Sequence, residues 1–68
     1  PPEEDLQRLL EAVGRLPDHE RVVVMLRYLD GHSVAALAEK TGRPLATVTK
    51  QLSRAVARLK GALEEVQA

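Results

Sequence analysis

The chain is short, carries no net charge and contains no cysteine. Its 68 residues include ten basic and ten acidic side chains, and a chain of this length holds at most one domain. The lack of cysteine excludes disulfides and thiolate metal sites, and no apolar run approaches the roughly 18 residues that a membrane span needs.

The first predicted element is an amphipathic helix from about Glu3 to Arg15. Its acidic residues lie in the first turn, where the positive end of the helix dipole favours them. Pro17 ends the helix because proline has no N–H to continue the hydrogen-bond ladder. The apolar residues at helical spacing are Leu6, Leu9, Leu10, Val13 and Leu16.

A second helix is predicted from Asp18, as its N-cap, to about Leu29. This segment is apolar on more than one face, so we expect it to be the central and most buried helix. It ends at Asp30-Gly31, since glycine can adopt the left-handed conformation.

A short helix and a glycine-containing turn follow. Ser33 is predicted to cap a third helix that runs from Val34 to about Lys40. Residues 41–43 form the turn, in which Gly42 supplies the positive φ that a sharp reversal needs. We expect Leu37 to pack across this turn against the next helix.

A long fourth helix is predicted from Leu45 onward, with Pro44 at or just before its first turn, where proline is tolerated. Gly61 costs about 1 kcal/mol relative to Ala, so the weakest part of the helix is residues 61–68. The sequence therefore predicts a small all-α domain of four helices over residues 1–68, with a helix-turn-helix at about 33–60.

The two halves of the chain differ in charge. Residues 1–39 contain eight acids and four bases, for a net charge of −4, whereas residues 40–68 contain six bases and two acids, for +4. Such an asymmetry points to a localised anionic partner, although a small helical domain can also be unevenly charged without consequence.

The basic residues of the fourth helix share one stripe. At about 100° per residue, its polar side chains fall opposite its apolar ones. Residues near the start of the helix would reach base edges in the major groove, whereas the arginines would hold phosphates. The residues expected at base edges are Ala46, Thr47, Lys50 and Gln51. The alternative is that the basic stripe is only a solvated helix face. The predicted DNA-binding residues are Arg43, Ala46, Thr47, Lys50, Gln51, Arg54 and Arg58.

Several landmarks, in order, resemble region 4 of the bacterial sigma-70-family sigma factors, and most closely the extracytoplasmic-function branch. The matching residues are Leu16-Pro17, Arg21, the run from Leu26 to Glu39, Gly42, Thr47-Val48, the run from Leu52 to Ala55, and Leu59. The resemblance implies a domain that reads the −35 promoter element in double-stranded DNA and docks on the flap of the RNA polymerase β subunit in the bacterial cytoplasm. It also implies an anti-sigma protein as a further partner. A region 2 would lie upstream, in agreement with the Pro-Pro start, which suggests an excised piece of a longer protein.

The start of the fourth helix departs from the family pattern. The family usually has Gly-Thr-Val-Lys-Ser-Arg where residues 46–51 read Ala-Thr-Val-Thr-Lys-Gln. The family's Lys and Arg positions have become Thr49 and Gln51, and a base stands at Lys50 instead. We therefore expect an unusual base readout and weak binding by the isolated domain.

Two other interpretations stay open. A response-regulator DNA-binding domain has a similar four-helix layout, although the segment Leu26–Gly31 favours a sigma factor. A protein-interaction module with weak DNA binding is the second, since a heptad-like run could pack on another chain. The run consists of Leu52, Ala55, Leu59, Ala62 and Val66.

The remaining polar residues predict no chemistry. His19 and His32 are 13 residues apart and are interpreted as surface and loop residues, not metal ligands. Ser33 is a cap and no base is implied near it, so it is not a nucleophile. We expect neither catalysis nor a cofactor, metal or membrane.

Overall fold

The computed structural model describes residues 2–67, with side chains through Glu64. Four helices follow one another, and no strand occurs within these residues, so the predicted all-α, four-helix fold is confirmed. The second helix continues directly into a π-helical turn, Met25–Leu29. The helices are α1 (Pro2–Gly14), α2 (Asp18–Val24), α3 (Val34–Thr41) and α4 (Leu45–Gln67).

Helix α1 buries only part of its apolar stripe. Ala12 is buried, and Leu9 and Val13 pack against the core. Leu6 and Leu10 are 57% and 55% exposed, so they extend the stripe beyond the area that the other helices cover.

The predicted Asp18 N-cap is wrong by one residue. Pro17 is the N-cap of α2, and its carbonyl accepts from the backbone N–H groups of Glu20 and Arg21. Asp18 lies inside the first turn and its carboxylate accepts from the Arg21 guanidinium at 2.7 Å. The Asp18 carboxylate is therefore engaged in an i, i+3 ion pair, and α2 has no side-chain cap.

The burial expected of the second helix is confined to its first part. Val23 and Val24 are buried, but the π-helical turn contains no buried residue. Met25, Tyr28 and Leu29 are between 43% and 68% exposed. The Asp30 N–H closes this turn by donating a hydrogen bond to the Met25 carbonyl, an i→i+5 bond. The wider turn shifts the side chains out of the 3.6-residue register on which the expectation rested.

The third helix and its turn form as predicted. The Ser33 Oγ accepts from the Ala36 N–H at 3.1 Å, so Ser33 is the N-cap of α3. Gly42 closes α3 with φ at +69°, in the left-handed region. Pro44 precedes α4, and its carbonyl accepts from the Val48 N–H.

The core lies on the inner side of α4, which packs against α1, α2 and α3. Leu37, Val23 and Val48 are its fully buried centre, so Leu37 and Val48 share one core as predicted. In the heptad-like run, the three residues from Leu52 to Leu59 belong to this core, whereas the side chain of Val66 lies outside the described residues. No described helix combines the length and apolarity needed to cross a membrane.

Candidate nucleic-acid interface

The polar face of α4 points away from the core. Its apolar residues Val48, Leu52 and Ala55 are buried against the other three helices. Thr47 and Lys50, which lie outside this buried stripe, are exposed. Burial of one face therefore fixes which side chains of α4 are available to a partner.

A concavity of about 230 Å³ opens at the first half of α4. Five of its six lining residues have polar or basic side chains, as expected of a surface that meets a hydrated, charged partner. The lining consists of Ala46, Thr47, Lys50, Gln51 and Arg54 from α4, together with His19 from α2. The structure thus brings together five of the seven predicted DNA-binding residues. It adds His19, which the sequence predicted to be a surface residue without a function.

Arg43 reaches the same surface from the turn. Its guanidinium Nη1 donates to the Gln51 Oε1 at 3.1 Å. This bond orients the amide of Gln51 and leaves its NH₂ group as the free donor. Neither Arg43, Lys50 nor Arg54 forms an ion pair with any described residue.

Arg58 lies apart from the other predicted residues. Its Nε is 3.0 Å from the Oε1 of Glu20, whose side chain is 3% exposed. The distance is that of an ion pair, but the alignment is not that of a hydrogen bond, so Oε1 has no hydrogen-bond partner among the described residues. Arg58 lines a second, more apolar concavity between α1 and α4, beside Arg15 and Leu16. Its phosphate contact stays a prediction.

Glu20 was not among the predicted residues, although its spacing indicates burial. Glu20 follows Leu16 by four residues and precedes Val23 and Val24 by three and four, all of which are buried. Helical periodicity therefore places this carboxylate on the apolar face. A charge on such a face needs a partner, and the arginine that supplies it comes from α4.

Thr49 stands where the family pattern has Lys. Its hydroxyl donates to the Leu45 carbonyl of the preceding turn at 2.9 Å. Lys50, one residue later, lines the concavity. The positive charge has moved by one residue, which is about 100° around the helix.

Comparison with known proteins agrees with this architecture. The family described as Sigma-70, region 4 matches residues 6–59. The RNA polymerase sigma factor SigF of Mycobacterium tuberculosis is 39% identical over 61 residues, in strain CDC 1551 / Oshkosh and in strain ATCC 25618 / H37Rv. The aligned part is 90% of this chain and 22% of the relative, so the chain spans a small part of the length of these relatives. No solved structure gives a significant match. Since the family match covers most of the chain, the protein belongs to the Sigma-70 region 4 family, whose role is promoter recognition in transcription initiation.

Proposed function

We propose that this chain binds the −35 element of double-stranded promoter DNA, with the first half of α4 in the major groove, as part of an RNA polymerase sigma factor. The observation that carries the proposal is the polar concavity at the start of α4, since five predicted DNA-binding residues line it. The family match favours this role over that of a response regulator.

The side chains of the concavity suit base and backbone contacts. Ala46 is small enough for a close approach, and the Thr47 methyl suits a thymine methyl. Lys50 is the first cation within α4 and suits guanine O6 and N7 or a phosphate. Arg54, one turn later, suits a phosphate. These contacts would fix α4 in the groove from both ends of the concavity.

Arg43 and Gln51 act as one unit in this proposal. A glutamine that reads adenine needs both its oxygen and its NH₂ group. Because the Oε1 of Gln51 already accepts from Arg43, its NH₂ is the group most readily offered to an acceptor on a base. The Arg43 guanidinium has further N–H groups for a neighbouring phosphate.

The exposed apolar side chains support a protein partner as well. Met25, Tyr28 and Leu29 are 43–68% exposed on one short segment, and exposed apolar side chains grouped in this way are typical of a protein-interaction surface. We propose that RNA polymerase, through its β flap, is the partner of the domain and that an anti-sigma protein competes for such surfaces. Tyr28→Ser with Leu29→Ser should weaken binding to an isolated flap fragment and leave DNA affinity unchanged.

The DNA-binding proposal is tested by a triple variant, K50A/Q51A/R54A, against duplexes selected from a random library by the wild-type chain. Loss of two cations from the interface should lower affinity roughly 30- to 100-fold at 0.1 M salt and reduce the slope of log K against log salt by about 2. The control is R8A/R15A, which removes two cations from the region of α1 and should leave affinity within about twofold.

Two outcomes would overturn the assignment. Binding that depends on salt but is unaffected by the triple variant would move the DNA surface elsewhere. A chain that binds the flap fragment and shows no DNA affinity would favour the protein-interaction module.

A further inference from the structure

His19 belongs to the DNA-facing concavity although it lies outside the helix-turn-helix. It is the second residue of α2, 14 residues before the Ser33 cap of α3. Its side chain is 50% exposed and lines the concavity together with Lys50 and Arg54. An anion held by these two cations would therefore also meet the imidazole.

The charged groups around His19 come from two helices. On α2, the Oε2 of Glu20 lies 3.7 Å from the Nε2 of His19, whereas the Asp18 carboxylate is bonded to Arg21. From α4, Lys50 and Arg54 line the same concavity, and no residue of α1 or α3 is among its lining residues. The imidazole thus stands between a buried carboxylate on one side and an open, positively charged surface on the other.

We propose that His19 is a contact to the DNA backbone that α2 adds to those of the helix-turn-helix. The inference rests on the proposed DNA-binding function. An imidazole N–H can donate to a phosphate oxygen. A phosphate held by Lys50 and Arg54 would therefore gain a third donor from another helix.

The test measures the affinity of the 68-residue chain for a mixed-sequence 20-base-pair duplex by fluorescence anisotropy at constant pH. A mixed sequence suffices because backbone contacts do not depend on base identity. Loss of one hydrogen bond to a phosphate should lower affinity roughly three- to tenfold in 0.1 M salt.

Two substitutions of His19 separate the contact from a structural role. H19A should bind more weakly than the wild type, whereas H19K, which adds a cation, should bind more tightly and steepen the salt slope by up to about 0.9. The matched control is H32A, which removes the other histidine of the chain. The His32 carbonyl, not its side chain, accepts from Arg27, so H32A should keep both the fold and the DNA affinity.

The failures of the two proposals are distinguishable. Absence of binding to any duplex would refute the DNA-binding function itself. Affinity that is unchanged in H19A, or that H32A lowers as much as H19A does, would refute the role of His19 alone. Circular dichroism of each variant checks that all compared proteins are folded.

Discussion

The buried carboxylate of Glu20 forms an ion pair with Arg58, a residue that the sequence predicted to contact DNA. Arg58 lies on the basic stripe of α4, yet its Nε is 3.0 Å from the buried Glu20 carboxylate. Taking a carboxylate out of water costs several kcal/mol unless a counter-charge compensates it. The arginine is 59% exposed, so water screens part of the attraction, but it remains the nearest cation to Glu20 Oε1. The first role of Arg58 is therefore to balance the buried negative charge of Glu20.

The predicted consequence is a loss of stability in R58A. Removal of the guanidinium leaves a buried carboxylate without its counter-charge, and we expect the free energy of unfolding to fall by about 1–3 kcal/mol. Urea unfolding followed by circular dichroism measures it. R54A is the matched control, because Arg54 is exposed and forms no ion pair with the described residues, and it should change stability by no more than about 0.5 kcal/mol. Equal losses in the two variants would contradict the role given to the pair.

The orientation of α4 depends on how α3 starts and stops. Ser33 satisfies a free N–H at the start of α3, and Gly42 reverses the chain at its end. The Thr41 hydroxyl also donates to the Leu37 carbonyl within the last turn. With Leu37 and Val48 fully buried in the same core, these caps determine the direction in which the first half of α4 faces.

The cap of α3 should contribute measurably to stability. S33A removes the acceptor for the Ala36 N–H, so unfolding should become easier by about 1 kcal/mol. S53A is the control, since Ser53 is exposed inside α4 and Ala is the better helix former. The denaturant midpoint should fall for S33A and stay or rise for S53A. A midpoint unchanged by S33A would mean that the cap is not formed in solution.

Two glycines should respond to alanine in opposite directions. Gly42 has φ at +69°, a conformation that costs an L-residue about 1–2 kcal/mol, so G42A should destabilise the domain. Gly61 lies inside α4, and a Cβ there meets nothing within 4 Å. G61A should therefore stabilise the domain by up to about 1 kcal/mol. Thermal unfolding of the two variants checks the signs, and a gain in stability from G42A would contradict the turn geometry.

At the scale of the whole molecule, α4 is the main structural axis. Its 23 residues span about 34 Å at 1.5 Å per residue, close to the longest dimension of the molecule, 37 Å. Helices α1, α2 and α3 all pack on its inner side. Although its net charge is zero, the chain therefore has an acidic first part and a basic fourth helix. The sign of the surface charge that a partner meets depends on the side from which it approaches.

This division predicts strong salt dependence for a protein without net charge. Three cations near the concavity, Arg43, Lys50 and Arg54, would neutralise about three phosphates, for a slope of log K against log salt near −3. Fluorescence anisotropy between 50 and 200 mM NaCl measures the slope. R43A should reduce its magnitude by about 1, and a slope near zero for the wild type would contradict a backbone-contacting surface.

The sequence by itself determined the helices, the caps of α3 and the polar stripe of α4, because each depends on residues within a few positions of one another. Ser33 with Ala36, and Gly42 at the end of α3, are contacts of this short range. The family pattern is local for the same reason, and it was recognised across the segments that the family match covers.

Only the tertiary structure decided which residues of different helices share a surface. His19 lines the concavity, and Glu20 forms an ion pair with Arg58, because α2 packs against α4. The spacing of residues along the chain does not encode this proximity of two helices. The π-helical turn also could not be predicted from the apolar spacing. Its i→i+5 bond changes the directions in which the side chains of Met25, Tyr28 and Leu29 point. Local periodicity assigns a side chain to a helix face, and the packing of the helices decides which other side chains that face meets.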